Sequence, residues 1–551
     1  MMRKYILLAA VALMGLTGCS LDREPETTLV NSNFWKSATD FRGACNRLYN
    51  DLGGFGQDYR ADDIINTSQN GTSSGNWTVP GTSSTWTNPY REIATCNNII
   101  TQISASSVEE SVKNRWMAEA YFFRAYYYFD LVKKYGDVPL ILKVFTSTSD
   151  PDIKMPRTPR EQVLAQCYED LDFAYKYLPD IDKVSTDTDW GRVSKSAALA
   201  LTERIGLYEG TYIKYHGIEG DYKAHLKRAI DAAEKIISSG KHALYPDYQR
   251  LFYFDGEGRQ NKENIFVKVY GPNDAGTIVH NNSRTLENAA SITRNAIEQY
   301  LYTDGLPREK SPLAITDEKH YDDVLLNRDP RLAKTIFTYN EEAYKGPYIP
   351  FANQHGNGFP IKKGYMADQW ATNGKETVDK MLIRYAEVLL SYAEALYEYN
   401  GSITDAQLDL TVNAVRQRAG FTARLTNDFA KQHGLNILNE IRRERLVEFM
   451  DEGLRYDDII RWKIAEKVLP QAMLGLKFHT AETTADPKTY SARLTFGGGM
   501  FNGVKVCDQD SIYVIESADT RSFDPVRDYL YPIPSYELGT SDGNLTQNPN
   551  W

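Results

Sequence analysis

The sequence contains few cysteines and, after its N-terminus, no long hydrophobic run. The thiols that follow Cys19 are those of Cys45, Cys96, Cys167 and Cys507, and none has the CxxC spacing of a redox or zinc motif. So few thiols exclude a disulfide-rich scaffold, and buried free thiols are favoured over disulfide pairing. No later apolar run approaches the roughly 18 residues of a membrane-spanning helix, so no such helix is predicted.

The sequence also lacks the motifs of the common enzyme classes. Its eight histidines form no HExxH pattern and no close pair, and neither GxSxG nor a P-loop is present. Glycoside hydrolysis needs only two carboxylates about 5–10 Å apart, so a sequence with 73 acidic residues does not exclude that reaction. Asp62 and Asp63 are a candidate pair only in this general sense. The acidic run 182–189 lacks EF-hand spacing and favours a solvated turn over a Ca²⁺ site. The sequence therefore predicts a non-catalytic protein without metal or cofactor.

The charge balance is acidic, and the basic residues are scattered along the chain. Lys and Arg number 63 against 73 acidic residues, which gives a net charge of −10. This pattern excludes the basic patch that nucleic-acid binding requires. The hydrophobic share of 42% is that of a folded globular chain, and the 37 tyrosines suit both stacked helices and sugar-binding surfaces.

The N-terminus has the pattern of a lipoprotein signal peptide over residues 1–18. Arg3 and Lys4 precede an apolar run from Tyr5 to Met14, which is too short to span a bilayer. Leu-Thr-Gly-Cys then ends at Cys19, which we predict to be acylated; an ordinary signal peptide that happens to hold a cysteine is the alternative. Several acyl chains on one residue suffice for stable anchoring. The acidic stretch LDREPE that follows resembles the tether of surface-exposed lipoproteins.

Residues 115–140, RWMAEAYFFRAYYYFDLVKKYGDVPL, predict a helix that is buried on two sides. Two neighbouring apolar stripes run along it at 3.6-residue spacing: Trp116, Ala120, Phe123, Tyr127 and Leu131, then Met117, Tyr121, Ala125, Tyr128 and Val132. Together they cover an arc of roughly 200°, far wider than that of a surface helix. The helix should end near Gly136, before Pro139. Arg124 projects between the stripes, so we expect it to have a buried carboxylate partner.

The same pattern recurs in IRYAEVLLSYAEALYEYNG and, more loosely, in Ser196–Gly210 followed by Tyr222–Leu244. Such helix–turn–helix units must stack to bury their surfaces, as tetratricopeptide units do. Because these units do not recur at a fixed period, they predict a mainly α fold in which about four interrupted tetratricopeptide-like helix pairs form a superhelical back. Ala125 and Ala393 are predicted to lie at close helix crossings. Helices are predicted near 36–52, 90–105, 113–135, 160–178, 196–215, 222–239, 382–399, 404–419 and 433–467.

Five ordered blocks of the chain resemble the signature blocks of the SusD/RagB family. They are AEAYFFRAYYYFDLVKKYGDVPL, GRVSKSAALALTERIGLYEG, RYAEVLLSYAEAL, NAVRQRAG and ERLVEFMDEGLRYDDIIRW, and the end YLYPIPSYELGTSDGNLTQNPNW resembles the family's C-terminus. The resemblance runs from about Cys19 to Trp551. It implies an N-terminal region over 19–250 and a C-terminal region over 251–551, which joins a loop-rich part at 251–377 to helix pairs at 382–467.

The resemblance also implies a function. Members of that family are outer-membrane lipoproteins of Bacteroidetes that cover a SusC-like TonB-dependent transporter and capture oligosaccharides, or peptides in the RagB branch. We therefore expect a cell-surface, lipid-anchored protein that delivers oligosaccharide to such a transporter. A RagB-type peptide-binding protein and a tetratricopeptide scaffold that binds only protein are the alternatives.

The ligand site is expected in the long loops, because loops without regular structure carry function when they are this long. Such loops are predicted at 53–89, 251–377 and about 475–527, opposite a rigid helical back. A carbohydrate site needs flat aromatic faces and planar polar groups. The first loop offers Trp77 and Trp86 with Asp62, Asp63 and Asn88. Packing ahead of the following helix is the alternative for Trp86.

Further contacts are implied by position within the family resemblance. HNNSRTLENAA supplies Asn281, Asn282 and Arg284, and KKGYMADQW supplies Tyr365 and Trp370. Arg284 could bind a carboxylate of the ligand or anchor its own loop, and the anchor is favoured.

The charged helix IRRERLVEFMDEGLRYDDIIRW is predicted to be structural rather than part of a site. Arg442, Glu444, Arg445 and Glu448 have the spacing of ion pairs along one helix.

Overall fold

The computed structural model describes residues 34–551, except 185, 187, 274–275, 289, 353–357, 487–493, 496–499, 502–503 and 506–511. The predicted signal peptide, Cys19 and Cys507 lie outside these residues. Among the helices that are described, none is both long and apolar enough to cross a membrane.

The fold is mainly α, as predicted, with long helices arranged as tetratricopeptide-like pairs. The helices are Ala38–Asn46 (α1), Gly71–Ser74 (α2), Ser84–Ala105 (α3), Glu110–Tyr135 (α4), Arg160–Tyr177 (α5), Ile181–Val184 (α6), Lys195–His216 (α7), Tyr222–Ser238 (α8), Asn282–Asn288 (α9), Arg294–Ile297 (α10), Leu332–Thr335 (α11), Ala367–Thr372 (α12), Tyr385–Asn400 (α13), Asp405–Leu408 (α14), Ala414–Arg418 (α15), Asn427–His433 (α16), Ile437–Glu448 (α17), Arg455–Arg461 (α18), Ala465–Val468 (α19) and Ser535–Thr540 (α20). A π-helical turn, Asp409–Asn413, joins α14 to α15.

Successive long helices pack side by side to form what we call the trunk, which comprises α3–α5, α7, α8, α13 and α17. Helix α3 packs on α4, α5 on α7, and α8 on α13. Helices α7 and α8 cross closely: a Cβ on Gly206 would lie 2.6 Å from the carbonyl oxygen of His225 and 2.9 Å from the backbone nitrogen of Ala229. Ala125 and Ala393 are fully buried in the same hydrophobic core.

The buried arginine of α4 has the partner that its position requires. Arg124 donates from Nε to Asp170 Oδ2 at 2.8 Å and from Nη2 to Asp170 Oδ1 at 2.7 Å. A bidentate pair of this kind satisfies a guanidinium that burial would otherwise leave without solvent. The thiols of Cys45, Cys96 and Cys167 are buried and free, as predicted.

The described residues between α8 and α13 and within 473–516, together with Ile64–Ile65, form what we call the irregular half. Its strands are short: Ile64–Ile65 (β1), Asn264–Lys268 (β2), Gly271–Asn273 (β3), Gly276–Ile278 (β4), Ser291–Ile292 (β5), Phe359–Pro360 (β6), Lys380–Arg384 (β7), Met473–Lys477 (β8), Leu494–Thr495 (β9), Met500–Phe501 (β10), Val504–Lys505 (β11) and Ile512–Glu516 (β12). They pair antiparallel in the orders β1–β5–β6, β2–β7, β3–β4, β8–β12–β9 and β10–β11. A second hydrophobic core, with Tyr300, Phe337 and Tyr344 among its members, holds this half together.

A buried network of ion pairs joins the trunk to the irregular half. Arg384, at the end of β7, donates to Glu448 Oε1 of α17 and to Glu263 Oε1, both at 2.7 Å, and to Glu452. Arg331 reaches Glu448 Oε2 at 2.9 Å and Glu444 Oε1 at 2.6 Å. Although burial alone would raise the pKa of Glu448, the surrounding guanidinium groups hold it well below its ordinary value.

Several features differ from the sequence predictions. The helix predicted at 433–467 is divided into α17, α18 and α19, because Asp451 (φ +63°) and Gly453 (φ +77°) take left-handed backbone conformations between the first two. Of the charged residues predicted to pair along this helix, Arg442 pairs with Glu398 and Glu444 with Arg416, whereas Arg443 pairs with Glu440 within α17.

The loop predicted at 53–89 is shorter than expected. It contains β1 and α2, and its last residues belong to α3, which begins at Ser84 and continues through Pro89. Pro89 lies in the second turn of α3, where its missing N–H removes one helical hydrogen bond, and the helix continues past it.

Candidate functional site

Two segments of the irregular half, around α9 and α12, are held together by one buried carboxylate. Glu376 accepts hydrogen bonds from the backbone nitrogen of Ser283 at 2.9 and 3.0 Å and from its Oγ at 2.9 Å. His280 and Glu376 also form an antiparallel bridge. The N-terminus of α9 is thereby fixed against the residues that follow α12.

The contact between these helices is what we call the Trp370 cluster, formed by Arg284, Glu287, Lys345 and Trp370. The Arg284 guanidinium lies 3.8 Å from the centroid of the Trp370 ring, and its Nε donates to the Trp370 carbonyl at 2.8 Å. Trp370 Nε1 donates to Glu287 Oε2 at 2.6 Å, and Lys345 pairs with Glu287 at 2.5 Å. Burial alone would raise the pKa of Glu287, but these hydrogen bonds lower it.

A cavity opens beside this cluster, and we call it the Tyr365 cavity. Its volume is about 440 Å³, within the range of roughly 300–1,000 Å³ that is typical of small-molecule sites. Its wall is formed by three segments: Gln249, Tyr253, Phe254 and Asp255; Phe337, Glu341 and Glu342; and Lys362, Tyr365, Met366, Ala367 and Asp368. The last of these leads directly into Trp370, because Met366 and Trp370 are one helical turn apart.

Aromatic rings form a continuous part of this wall. Phe337 and Tyr365 meet edge to face with their centroids 5.4 Å apart, and the Tyr365 hydroxyl donates to the Ala343 carbonyl at 3.1 Å. Burial raises the pKa of Tyr365 to about 12, so the phenol is neutral at physiological pH. Phe254 is 40% exposed, so its ring is open to solvent.

The charge of the Tyr365 cavity is negative. Its lining holds Asp255, Glu341, Glu342 and Asp368 against a single ammonium, that of Lys362. Glu341 is positioned by Lys362 and by the backbone nitrogen of Thr338, which donates to it at 2.9 Å. Planar carboxylates beside aromatic rings can accept hydrogen bonds from hydroxyl or ammonium groups of a ligand.

The structure brings together the residues that sequence reasoning placed at 281–284 and 365–370. Arg284 and Trp370 stack, and Asn281 Oδ1 accepts from the backbone nitrogen of Gly374 at 3.0 Å. Asn282 is buried, and its backbone nitrogen donates to His280 Nδ1 at 3.2 Å. The contacts of Arg284 with Trp370 are those of a loop anchor, the role favoured from the sequence.

The candidates of the 53–89 segment lie apart from this cluster. Asp62 is buried and accepts from Arg455 at 2.8 and 3.0 Å. Asp63 is buried beside it, and burial together with the charge of Asp62 raises the pKa of its carboxyl group. These contacts tie the segment to α18.

The two tryptophans of that segment also make internal contacts. Trp77 packs edge to face on Tyr531 with centroids 4.7 Å apart, and its Nε1 donates to the Thr72 carbonyl at 3.2 Å. Trp86 is 4% exposed in the first turn of α3 and packs on Tyr135, which is the packing alternative anticipated for it. Asn88 is exposed and accepts from Arg91 at 3.1 Å. Ligand contact by these five residues stays a prediction.

Sequence reasoning missed the walls of the Tyr365 cavity that come from 249–255 and 337–342. A signal was present in YQRLFYFDGEG, where aromatic residues follow neither helical nor strand spacing and end at a glycine turn. Within the described residues, no group of three or more His, Cys, Asp or Glu could hold a metal ion.

The fold and the cavity define a class of protein: a helical-repeat trunk carrying an irregular, cavity-bearing face. A family model described as the SusD family matches residues 251–551, and one described as starch-binding associating with outer membrane matches residues 45–207. The chain belongs to the SusD family.

Individual relatives are similar over nearly their whole length. SusD-like protein P2 of Formosa agariphila is 26% identical over 100% of both chains, and a SusD-like protein of Bacteroides ovatus is 24% identical over 90% of this chain and 89% of the relative. A solved structure, a SusD-like carbohydrate binding protein from Bacteroides fragilis, has a TM-score of 0.72 at 26% identity and covers 92% of this chain and 98% of its own. A second SusD-like protein of Bacteroides fragilis has a TM-score of 0.71 at 23% identity.

Proposed function

We propose that this protein is a non-catalytic, cell-surface lipoprotein that captures oligosaccharide and delivers it to a SusC-like TonB-dependent outer-membrane transporter. The observation that carries the proposal is the Tyr365 cavity, an open cavity with aromatic and planar polar walls on the irregular half. Membership of the SusD family and the carbohydrate-binding relative from Bacteroides fragilis support the class of ligand.

The Tyr365 cavity has the two kinds of surface that a sugar ring requires. The exposed ring of Phe254 offers an apolar face for the C–H surface of a pyranose. The carboxylates of Asp255 and Glu342 accept hydrogen bonds from hydroxyl groups. The Trp370 cluster lies one helical turn from the cavity wall and extends the site along the surface.

The placement of Glu341 supports binding without chemistry. Glu341 accepts from Thr338 with Oε2 and pairs through Oε1 with Lys362, so it is held as an ion-paired acceptor rather than as a free acid or base. Incubation with a bound oligosaccharide should release no new reducing ends. Clear turnover by the purified protein would refute the non-catalytic proposal.

A glycan array with matched variants tests the ligand site. Phe254→Ala removes an exposed ring from the cavity, so we expect a loss of glycan affinity of about 0.5–1.5 kcal/mol, the order of an aromatic packing contact, without a change in unfolding temperature. Tyr536→Ala is the control, because Tyr536 is a 61% exposed ring that does not line the cavity. Equal affinity of both variants for the same glycan would exclude the Tyr365 cavity as the site.

The same array separates the alternatives. Binding to peptides but not glycans identifies a RagB-type protein, and binding to neither favours a tetratricopeptide scaffold that binds only protein.

The anchor and the transporter form a separate part of the proposal. The lipobox ending at Cys19 and the family description that names association with the outer membrane support a lipid anchor in that membrane, and the proposal places the protein on its outer face. Cys19→Ala should release the protein from the membrane fraction. Mild detergent extraction and affinity purification should recover a TonB-dependent barrel with the wild-type protein. Recovery of this protein without a barrel would count against delivery to a transporter.

A further inference from the structure

Two of the four carboxylates that line the Tyr365 cavity have a cation beside them. Glu341 pairs with Lys362, which belongs to the same lining. Asp255 pairs with Arg250 at 2.8 Å, and the two side chains of this pair are 48% and 64% exposed. A ligand that enters the cavity therefore meets these two carboxylates with much of their charge balanced by the protein.

The other two carboxylates, those of Glu342 and Asp368, form no ion pair with the described part of the chain. Asp368 Oδ1 accepts a hydrogen bond from the backbone nitrogen of Gln369 at 2.9 Å, which leaves its negative charge without a cation. Both side chains are exposed, so a ligand in the cavity can reach their oxygens. The cavity thus presents two accessible carboxylates whose charge the surrounding side chains do not balance.

These two carboxylates belong to segments that meet at Tyr365. The Tyr365 hydroxyl donates to the carbonyl of Ala343, the residue after Glu342, at 3.1 Å. Burial and, next to it, the charge of Glu342 raise the pKa of Tyr365, as expected for a carboxylate close to the phenol. Asp368 lies three residues beyond Tyr365, in the first turn of α12. Both acids therefore border the part of the cavity that Tyr365 lines.

An exposed aromatic ring lines the same cavity. Phe254 is 40% exposed, so its ring is available to a ligand. The face of an aromatic ring attracts a cation through its quadrupole and also packs against the apolar C–H surface of a sugar. Accessible carboxylates together with such a ring favour a ligand that has a positive charge over a neutral or an anionic ligand of the same shape.

We propose that the Tyr365 cavity selects a saccharide unit that carries a free ammonium group, as a 2-amino sugar does, and that Glu342 and Asp368 determine this specificity. The sugar ring lies against Phe254, and its ammonium group donates hydrogen bonds to the two carboxylates. Hydrogen bonds between charged partners are roughly twice as strong as those between neutral ones. The inference rests on the proposed function for the saccharide class of the ligand.

Paired saccharides that differ only at the amino nitrogen test this selectivity by titration calorimetry. A chitosan tetrasaccharide is compared with the corresponding chitin tetrasaccharide, and a galactosamine tetrasaccharide with its N-acetylated form, at a pH at which the free amines are protonated. We expect the amine-bearing member of at least one pair to bind about tenfold tighter at low salt and to weaken as salt is added. If neither amine-bearing probe bound more tightly than its acetylated form, the inference would be wrong.

Variants then assign the preference to the two carboxylates. The double variant Glu342→Gln, Asp368→Asn changes exposed side chains, so it should keep the fold and abolish both the preference for the amine and its salt dependence. The charge-matched control is Asp172→Asn, Glu219→Gln, which removes two exposed carboxylates that do not line the cavity and should leave the preference unchanged. A preference that survives the first double variant, or that the control abolishes as well, would reflect attraction to an acidic protein in general and overturn the inference.

Phe254→Ala separates failure of this inference from failure of the proposed function. If that variant weakens the binding of saccharides among which the amine is not preferred, the Tyr365 cavity remains a saccharide site and only the selectivity is wrong. If it changes the binding of no saccharide, the site itself is wrong and both proposals fail. Binding of a lysine-containing tetrapeptide that the Glu342→Gln, Asp368→Asn variant abolishes, with no saccharide bound, would assign the carboxylates to peptide recognition and overturn the inference.

Discussion

The trunk and the irregular half are stabilised in different ways. In the trunk, helices approach so closely at Gly206 that no Cβ fits, and buried ion pairs such as Arg124 with Asp170 and Arg442 with Glu398 also join its helices. In the irregular half, strands of two to five residues leave short ladders, and buried arginines reach across to α17. The trunk thus depends on close apolar fit at its helix crossings, whereas the irregular half, which carries the Tyr365 cavity, is joined to the trunk by shared buried charge.

The largest expected effect comes from breaking the ion-pair network at this border. Glu448→Gln removes the carboxylate that Arg331, Arg384 and Arg418 share. We expect the free energy of unfolding to fall by about 3–5 kcal/mol, because three buried guanidinium groups lose their common partner. Urea unfolding followed by circular dichroism measures the change.

The matched control is an exposed ion pair within the trunk. Asp231→Asn breaks the pair with Lys227, both side chains being largely exposed, and should change stability by no more than about 0.5 kcal/mol. If Glu448→Gln lowered the free energy of unfolding by no more than this control, the border between the trunk and the irregular half would not depend on buried charge.

The next effect tests apolar fit in the trunk. Gly206→Ala places a methyl group 2.6 Å from the His225 carbonyl oxygen, so α7 and α8 must move apart. We expect a loss of about 1–3 kcal/mol in the free energy of unfolding. Gly43→Ala is the control, because Gly43 is also helical but has no atom within 4 Å of the added methyl.

The control should move in the opposite direction. Alanine is the better helix former by up to about 1 kcal/mol, so Gly43→Ala should raise stability slightly. Thermal unfolding of both variants measures these changes. If Gly206→Ala also raised stability, close packing of α7 on α8 would be contradicted.

The same contrast explains how much of the molecule could be predicted from its sequence. Helices α4, α7 and α8 fall within a few residues of their predicted bounds, because each carries apolar stripes and a clear stop. For example, α7 begins after Ser194, whose Oγ accepts from Ala197, and ends at Gly217 with φ +64°. The need of Arg124 for a carboxylate followed from its position between two stripes.

The candidate site could be predicted only in part, because its walls are distant in sequence. The segments around Tyr253, Phe337 and Tyr365 are brought together by contacts between distant parts of the chain, such as the pairing of β2 with β7 and the hydrogen bonds of Glu376 to Ser283. No local periodicity of the sequence indicates that these three segments are in contact. Tyr365 and Trp370 were found through family resemblance, and the partners of Glu448 could not be inferred from helical spacing because they lie on other elements.

The smallest expected effect concerns two histidines, one in each region. His216, at the end of α7, contacts the Ile460 carbonyl at 2.8 Å, and His280, beside the Trp370 cluster, contacts the Val378 carbonyl at 3.0 Å. Burial lowers the pKa of each from 6.5 to about 4. The unfolded chain therefore binds protons below about pH 6.5 that the folded protein does not bind until near pH 4. Stability that is fully present above pH 6.5 is lost as pH falls towards 4.

Replacing each histidine by a residue that does not titrate shows whether the two regions unfold together. His216→Gln and His280→Gln should each flatten the fall in stability between pH 6.5 and 4, measured by urea unfolding with tryptophan fluorescence. If trunk and irregular half unfold as one cooperative unit, both variants flatten the same transition. If the ion pairs at the border break before the rest of the protein unfolds, two unfolding transitions appear. His280→Gln then alters only the transition of the irregular half. If both variants had the same pH dependence of stability as the parent, burial would not be what keeps either imidazole neutral. The contrast between the trunk and the irregular half would then be tested only by Glu448→Gln and Gly206→Ala.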